Sequence, residues 1–336
     1  MQNQQINKYD IATWSLAGAA MLFVLKFNLL PALLAGLLVY ELIYILTPFI
    51  ERKILKQNAK LFAIAILVVV IVGLLTLAGA GMVAFFRSES GSLTVLLAKM
   101  AQILEDSRKI LPAWILTHLP ADAITFQAQA SEWLRVHAGE LQGVGKEAGR
   151  ATVHILVGMI IGGIVAMRDA AVEDHFQPFA LALAQRASLF GDAFRRVVFA
   201  QVRISAINAT FTGIYLAIVL PLLGIHLPLV KTLIAITFVL GLIPVVGNLM
   251  SNSIIVIVSL SQSLAVALGS LLYLVVIHKF EYFLNARIVG DQIRAHAWEL
   301  LIAMLMMEAA FGLAGVVAAP IYYAYIKSEL RAKNLV

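Results

Sequence analysis

Apolar positions dominate this chain, and they come in runs rather than in alternation. Residues 11–25 form a short apolar run closed by Lys26-Phe27-Asn28. Residues 29–50 follow so closely that the two runs predict a helical hairpin. Pro31 falls in the first turn of its second helix, where proline is tolerated. Residues 61–86 are a longer run carrying Gly73, Gly79 and Gly81, small residues that let helices approach closely in lipid. Residues 151–167 are short and glycine-rich (Gly158, Gly162, Gly163). Further apolar runs occupy 204–223, 227–243, 249–260, 264–277 and 299–326. A helix needs about 20 apolar residues to cross a bilayer core. The pattern predicts an all-α polytopic integral membrane protein with about eight transmembrane helices.

Two stretches differ in kind. Residues 87–150 hold seven Lys/Arg and seven Asp/Glu. Leu93, Leu96, Met100, Ile103, Ile110 and Trp114 recur mostly at helical intervals. Pro120 and Asp122 end one helix and begin another, whose face continues through Trp133, His137, Leu141 and Val144. This predicts a pair of amphipathic helices outside the bilayer or along it. In residues 174–203, Phe176, Phe179, Leu183, Ala187, Phe190, Phe194 and Val198 make a helical stripe opposed by Arg186, Arg195 and Arg196. An interfacial helix against an anionic leaflet fits this, and so does a helix packed on the protein's own spans. The expected division is 1–86, 87–150 and 151–336.

The run that enters at 227 is interrupted at Gly241-Leu242-Ile243-Pro244-Val245-Val246-Gly247-Asn248. Pro244 removes a backbone donor and Gly247 adds freedom. A broken or re-entrant helix around 243–263 is expected, and at membrane depth its freed groups need protein or water. Asn248, Asn252, Ser259 and Ser263 recur near helical spacing and would form a polar stripe lining a solute path, with Ser251 and Ser253 off it. A plainer reading has Gly247 and Asn248 start a helix after a tight loop.

Composition agrees. Of 336 residues 61% are hydrophobic and 13% charged, against about 25% charged in soluble domains. Mean hydropathy is +0.92. There are no cysteines, and the seven histidines show no ligand spacing, so no metal and no cofactor site is expected. The sequence has no Gly-x-Ser-x-Gly, His-Glu-x-x-His or P-loop, so no catalytic residue is assigned and the chain is not read as an enzyme. A non-transporting membrane scaffold is the alternative of another class. The pI near 9.5 reflects cations gathered on one membrane side rather than a nucleic-acid partner. Lys8, the 51–60 loop, residues 168–203 and the tail at Lys327, Arg331 and Lys333 hold most of them. This orients both termini to the cytoplasm, with 87–150 outside and no signal peptide. Residues 279–297 fit either side.

The C-terminal third resembles the autoinducer-2 exporter family, also described as PerM-like permeases. Three motifs carry the resemblance: Ile243-Pro244-x-x-Gly247; Asn285-x-Arg287-Ile288-Val289-Gly290-Asp291 with His296 five residues on; and Phe311-Gly312-x-x-Gly315 closed by Ala319-Pro320. The overall layout of spans is also similar. The resemblance implies an α-helical transporter with about eight spans, in a bacterial inner membrane, that forms homo-oligomers, pentamers by expectation. Its namesake cargo is autoinducer-2, a small polyhydroxylated signal; other members are similar to sodium(lithium)/proton antiporters. One position departs: where the family pattern usually has a small residue before Ala309-Ala310-Phe311-Gly312, this chain has Glu308.

Glu308 lies about ten residues into the last apolar run. An ionisable group there is expensive unless it faces a cavity or partner. It is a candidate proton or cation carrier, or a protonated acid bonded to a neighbouring helix. Asn285, Arg287 and Asp291 form either a gate to the polar solute or a capped, paired helix end. Phe311, Gly312, Gly315 and Pro320 are read as helix-packing residues, and Glu41 as structural.

Overall fold

The computed structural model describes residues 7–52, 56–87, 123–167, 177–243, 246–260, 262–293 and 296–335. Every regular element among them is helical: α1 (Lys8–Lys26), α2 (Leu30–Glu51), α3 (Lys56–Arg87), α4 (Ala123–Val136), α5 (Ala138–Met167), α6 (Pro178–Ile214), α7 (Val230–Gly241), α8 (Val246–Leu260), α9 (Leu264–Ile293) and α10 (Ala297–Ala332). α6 continues through a π turn, Tyr215–Val219, into Leu220–Leu222. Pro221 has no N–H for the carbonyl four residues back, and the backbone widens there. By length and apolar content, Leu30–Glu51, Ala138–Met167 and Pro178–Leu222 can cross a membrane, and Trp298–Ala332 would be long and apolar enough if it were straight.

The chain forms two compact units. One holds residues 1–70, 148–201 and 284–336; the other holds 71–147 and 202–283. Each boundary lies inside a continuous helix, so the units interleave along the sequence.

In the first unit α1, α2, α6 and α10 share a core. Leu25, Leu30, Ala193, Phe194, Ile321 and Tyr325 meet in it. α2 crosses α5 closely: a Cβ added at Gly36 would come 2.8 Å from the Gly158 carbonyl, and one at Gly162 would collide with Gly36. Only glycine allows this approach. One end of the unit is tied by charge. Arg186 donates to Asp10 Oδ1 at 2.5 Å, and Lys333 to Asp10 Oδ2 at 2.8 Å. Trp14 Nε1 donates to Glu329 at 3.0 Å, and Arg186 lies 3.6 Å from the same carboxylate. Asp10 precedes the apolar run. Burial pushes its carboxyl up, but Lys333, the Asn7 N–H and Arg186 outweigh that and hold it below the usual carboxylate value.

α10 is a hairpin rather than one rod. Gly312 has φ 60° and ψ −144°, a region nearly confined to glycine. Lys327 Nζ lies 2.6 Å from Glu299 Oε2, and Tyr323 donates to the same oxygen. A straight helix would separate positions 28 apart by about 42 Å. The two arms must therefore run antiparallel from Gly312. Phe311 packs against the first unit's core, Gly315 meets the Met307 carbonyl across the fold, where a Cβ would not fit, and Pro320 is buried in the second arm.

Three expectations change. The 299–326 run is not a single crossing, because a helix broken at Gly312 returns to its starting side. The helix expected over 174–203 begins at Pro178 and runs on to Leu222; residues 168–176 lie outside the described residues. Phe190 and Phe194 pack in the first unit's core and Arg186 is 4% exposed, so this end of the stripe faces protein, while Phe179, Leu183 and Ala187 are exposed. The second amphipathic helix is divided at His137: Trp133 lies on α4, while Leu141 and Val144 lie on α5, which continues through the 151–167 span. The first amphipathic helix, 88–122, lies outside the described residues.

Candidate functional site

In the second unit, α7 and α8 fold back on each other at the predicted break. Thr237 and Ser251 are bonded at 2.7 Å although 14 residues apart, a distance of about 21 Å along a straight helix. A Cβ on Gly247 would collide with the Leu240 carbonyl, which makes Gly247 the residue that closes the hairpin. At its open end Gln262 donates to the His226 carbonyl at 3.0 Å, so the chain enters and leaves on one side. The arms have 12 and 15 residues, about 18 and 22 Å, short of a core of about 30 Å. This is a helical hairpin with arms too short to cross such a core one by one. Pro244 lies outside the described residues.

A seam of neutral polar groups runs between this hairpin and the neighbouring helices. On α6, Ser205, Asn208, Thr212 and Tyr215 are all buried; their spacing of three, four and three puts them on one face. Ser205 donates to the Phe238 carbonyl at 2.5 Å, and Asn208 to Asn248 Oδ1 at 3.1 Å. Farther along, Tyr215, Ser270 and Ser259 form a chain of hydroxyls with spacings of 3.0 and 2.8 Å. Tyr215 stacks on Tyr273 at 4.0 Å, and Tyr273 donates to the Phe211 carbonyl. Around the seam lies an apolar core of Leu216, Leu220, Leu233, Ile255 and Leu274. Buried neutral groups of this kind are kept in place by mutual hydrogen bonds, and those bonds can be exchanged for the hydroxyls of a solute.

The stripe on α8 differs from the expected one. Asn248, Ser251 and Ser259 are buried at 4, 1 and 0% exposure, with Ile255 between them on the same face. Ser251, expected off the stripe, is therefore in the seam: its spacing of three from Asn248 fits a helix better than the spacing of four to Asn252 does for this crossing. Asn252 is half-buried at the edge. Ser253 is exposed and bonds back to the Leu249 carbonyl. Ser263 is a cap for α9, accepting from the Val266 N–H at 3.1 Å, rather than a lining residue. Sequence reading passed over the face of α6, Thr237 and Ser270. The spacing of Ser205, Asn208, Thr212 and Tyr215 was the available signal; each is single and uncharged in an apolar run.

The other candidates are placed separately. Glu308 is exposed on the first arm of α10, four residues before the fold at Gly312. That glycine serves the turn, with open space around it, and not helix packing. Asn285, Arg287 and Asp291 lie on the last part of α9; their side chains lie outside the described residues. Glu41, 6% exposed in α2, faces Arg195 at 4.0 Å.

Long apolar helices, two hairpins closed at glycine motifs and a buried polar seam define a polytopic α-helical membrane protein. The chain matches the AI-2E family transporter over residues 11–334, nearly its whole length, and belongs to that family. No match is found among curated proteins or among solved structures.

Proposed function

We propose that this transporter exports a small, uncharged, polyhydroxylated solute such as autoinducer-2 across the bacterial inner membrane. The observation that carries this is the seam: amide and hydroxyl groups bonded to one another and to backbone carbonyls beside a helical hairpin. Such groups can replace the water around a polyol without charging the membrane interior.

The pairing of the chain's ends supports an orientation. Asp10 and Lys333 pair, so the two ends of the chain share a side, and the open end of the α10 hairpin lies with them. Lys327, Arg331 and Lys333 lie at that end, which supports a cytoplasmic location for both termini. Residues 87–150 are proposed to lie on the opposite side from the termini. A homo-oligomer, pentameric by family resemblance, is part of the proposal.

A second reading is favoured by one feature. Glu308 sits beside a break in α10, where freed carbonyls and a carboxylate suit a monovalent cation or proton. Sodium(lithium)/proton antiport is therefore the alternative, and proton coupling through Glu308 is common to both.

Purified protein in liposomes tests this. Export activity predicts saturable flux of an autoinducer-2 preparation. Proton movement driven by sodium or lithium, with no solute flux, favours the antiporter. A protein that moves none of these under any gradient is a scaffold.

A further inference from the structure

We infer that Thr212 is the docking position for a hydroxyl of the transported solute, and so sets the specificity of the seam. The inference rests on the export reading above. Three of the four polar residues on this face of α6 have partners: Ser205 on Phe238, Asn208 on Asn248 and Tyr215 on Ser270. Thr212 is 0% exposed, and among the described residues its Oγ1 has no hydrogen-bond partner.

A helical threonine ordinarily turns its hydroxyl to the carbonyl four residues back. Thr210 and Thr237 do so, at 2.7 and 2.8 Å. Thr212 does not. A buried hydroxyl without a bond carries its full desolvation cost, and such groups are rare enough in native chains to need a reason. Its place supplies one. Thr212 is one turn from Asn208 on one side and from Tyr215 on the other. Both neighbours belong to bonds between neutral groups that a solute can enter. A molecule with several hydroxyls can bond Thr212 and displace a partner of Asn208 or Tyr215 together. An analogue lacking that hydroxyl leaves Thr212 unpaired, the kind of penalty by which hydrogen-bonding sites discriminate. The ligand class is an uncharged small molecule with adjacent hydroxyls.

The test compares Thr212→Val, which keeps shape and loses the hydroxyl, with Thr212→Ser, which keeps the hydroxyl. Thermal unfolding is measured in detergent without solute and with an autoinducer-2 preparation, and flux in liposomes gives KM and turnover. Without solute, Thr212→Val unfolds at or above the wild-type temperature, because an unpaired hydroxyl has been removed. With the preparation, the wild type and Thr212→Ser are stabilised. Thr212→Val needs roughly three- to tenfold more for the same shift, and its KM rises by the same factor with turnover retained. A lower unfolding temperature for solute-free Thr212→Val overturns the inference, since the hydroxyl then has a protein partner. An unchanged solute response in Thr212→Val overturns it alone, leaving export intact. No response in the wild type overturns the export reading itself and the docking role with it. Stabilisation by sodium or lithium that Thr212→Val loses overturns the uncharged class.

Discussion

Lys327 and Glu299 are 28 residues apart in sequence, and their Nζ and Oε2 atoms are 2.6 Å apart in space. That one pair turns the last apolar run from a crossing into a hairpin. It also places the two open ends of that hairpin side by side. Cysteines replacing His296 and Asn334, on either side of the hairpin, should react with a membrane-impermeant thiol reagent from the same face. Labelling from opposite faces would restore a single crossing.

The glycines should separate by geometry rather than by motif. Gly312→Ala places a Cβ in backbone space nearly reserved for glycine and should lose about 1–3 kcal/mol. Gly162→Ala drives a Cβ into Gly36 and should be similarly harmful. Gly163, one residue on, meets nothing within 4 Å; Gly163→Ala should be neutral or stabilising by about 0.5–1 kcal/mol. Thermal unfolding in detergent orders the three. Equal losses at Gly162 and Gly163 would show that helix propensity, not the α2–α5 crossing, decides.

The tie between the chain ends should depend on pH through Asp10. Its native carboxyl is held below the ordinary carboxylate value by Lys333, the Asn7 N–H and Arg186. A lowered native pKa means that the ionised form stabilises the fold above the unfolded value, and that this contribution is lost as pH falls through the native value. The stability gap between wild type and Asp10→Asn should be flat near neutrality and close below about pH 4. A gap that widens on acidification contradicts the pairing. Arg186→Met leaves Glu329 and half of Asp10 without a cation at a site about 5% exposed, and should lose about 3–5 kcal/mol.

The spans were legible because lipid permits few backbone solutions, and the break at 244–247 because proline and glycine there have few other uses. The fold of α10 was not, since Phe311-Gly312-x-x-Gly315 reads equally as a packing face or a turn. Only the sign of φ at Gly312 separates them. The seam was half legible. Asn248 and Ser259 stood out in α8, but burial of Ser251 depends on how α7 crosses α8, and Thr212 is distinguished only by a missing partner. Arg186 looked like a surface cation because its partners, Asp10 and Glu329, are 176 and 143 positions away in sequence.

Glu308 tests the coupling half of the proposal. Glu308→Gln keeps size and hydrogen bonding but cannot ionise. It should abolish the pH dependence of flux while folding and oligomer size stay as in the wild type. Flux that keeps both its rate and its pH profile removes Glu308 from the transport cycle.

The most direct measurement is flux of an autoinducer-2 preparation into liposomes by wild type, Asn208→Ala, Asn248→Ala, Ser251→Ala and Ser253→Ala at matched protein content. Each of the first three substitutions removes a buried seam bond and should reduce flux by roughly fivefold or more. Ser253→Ala, on the exposed face of the same helix, should match the wild type. Contradiction would come from wild-type protein that moves no solute, or from a Ser253→Ala defect equal to that of Asn248→Ala and Ser251→Ala.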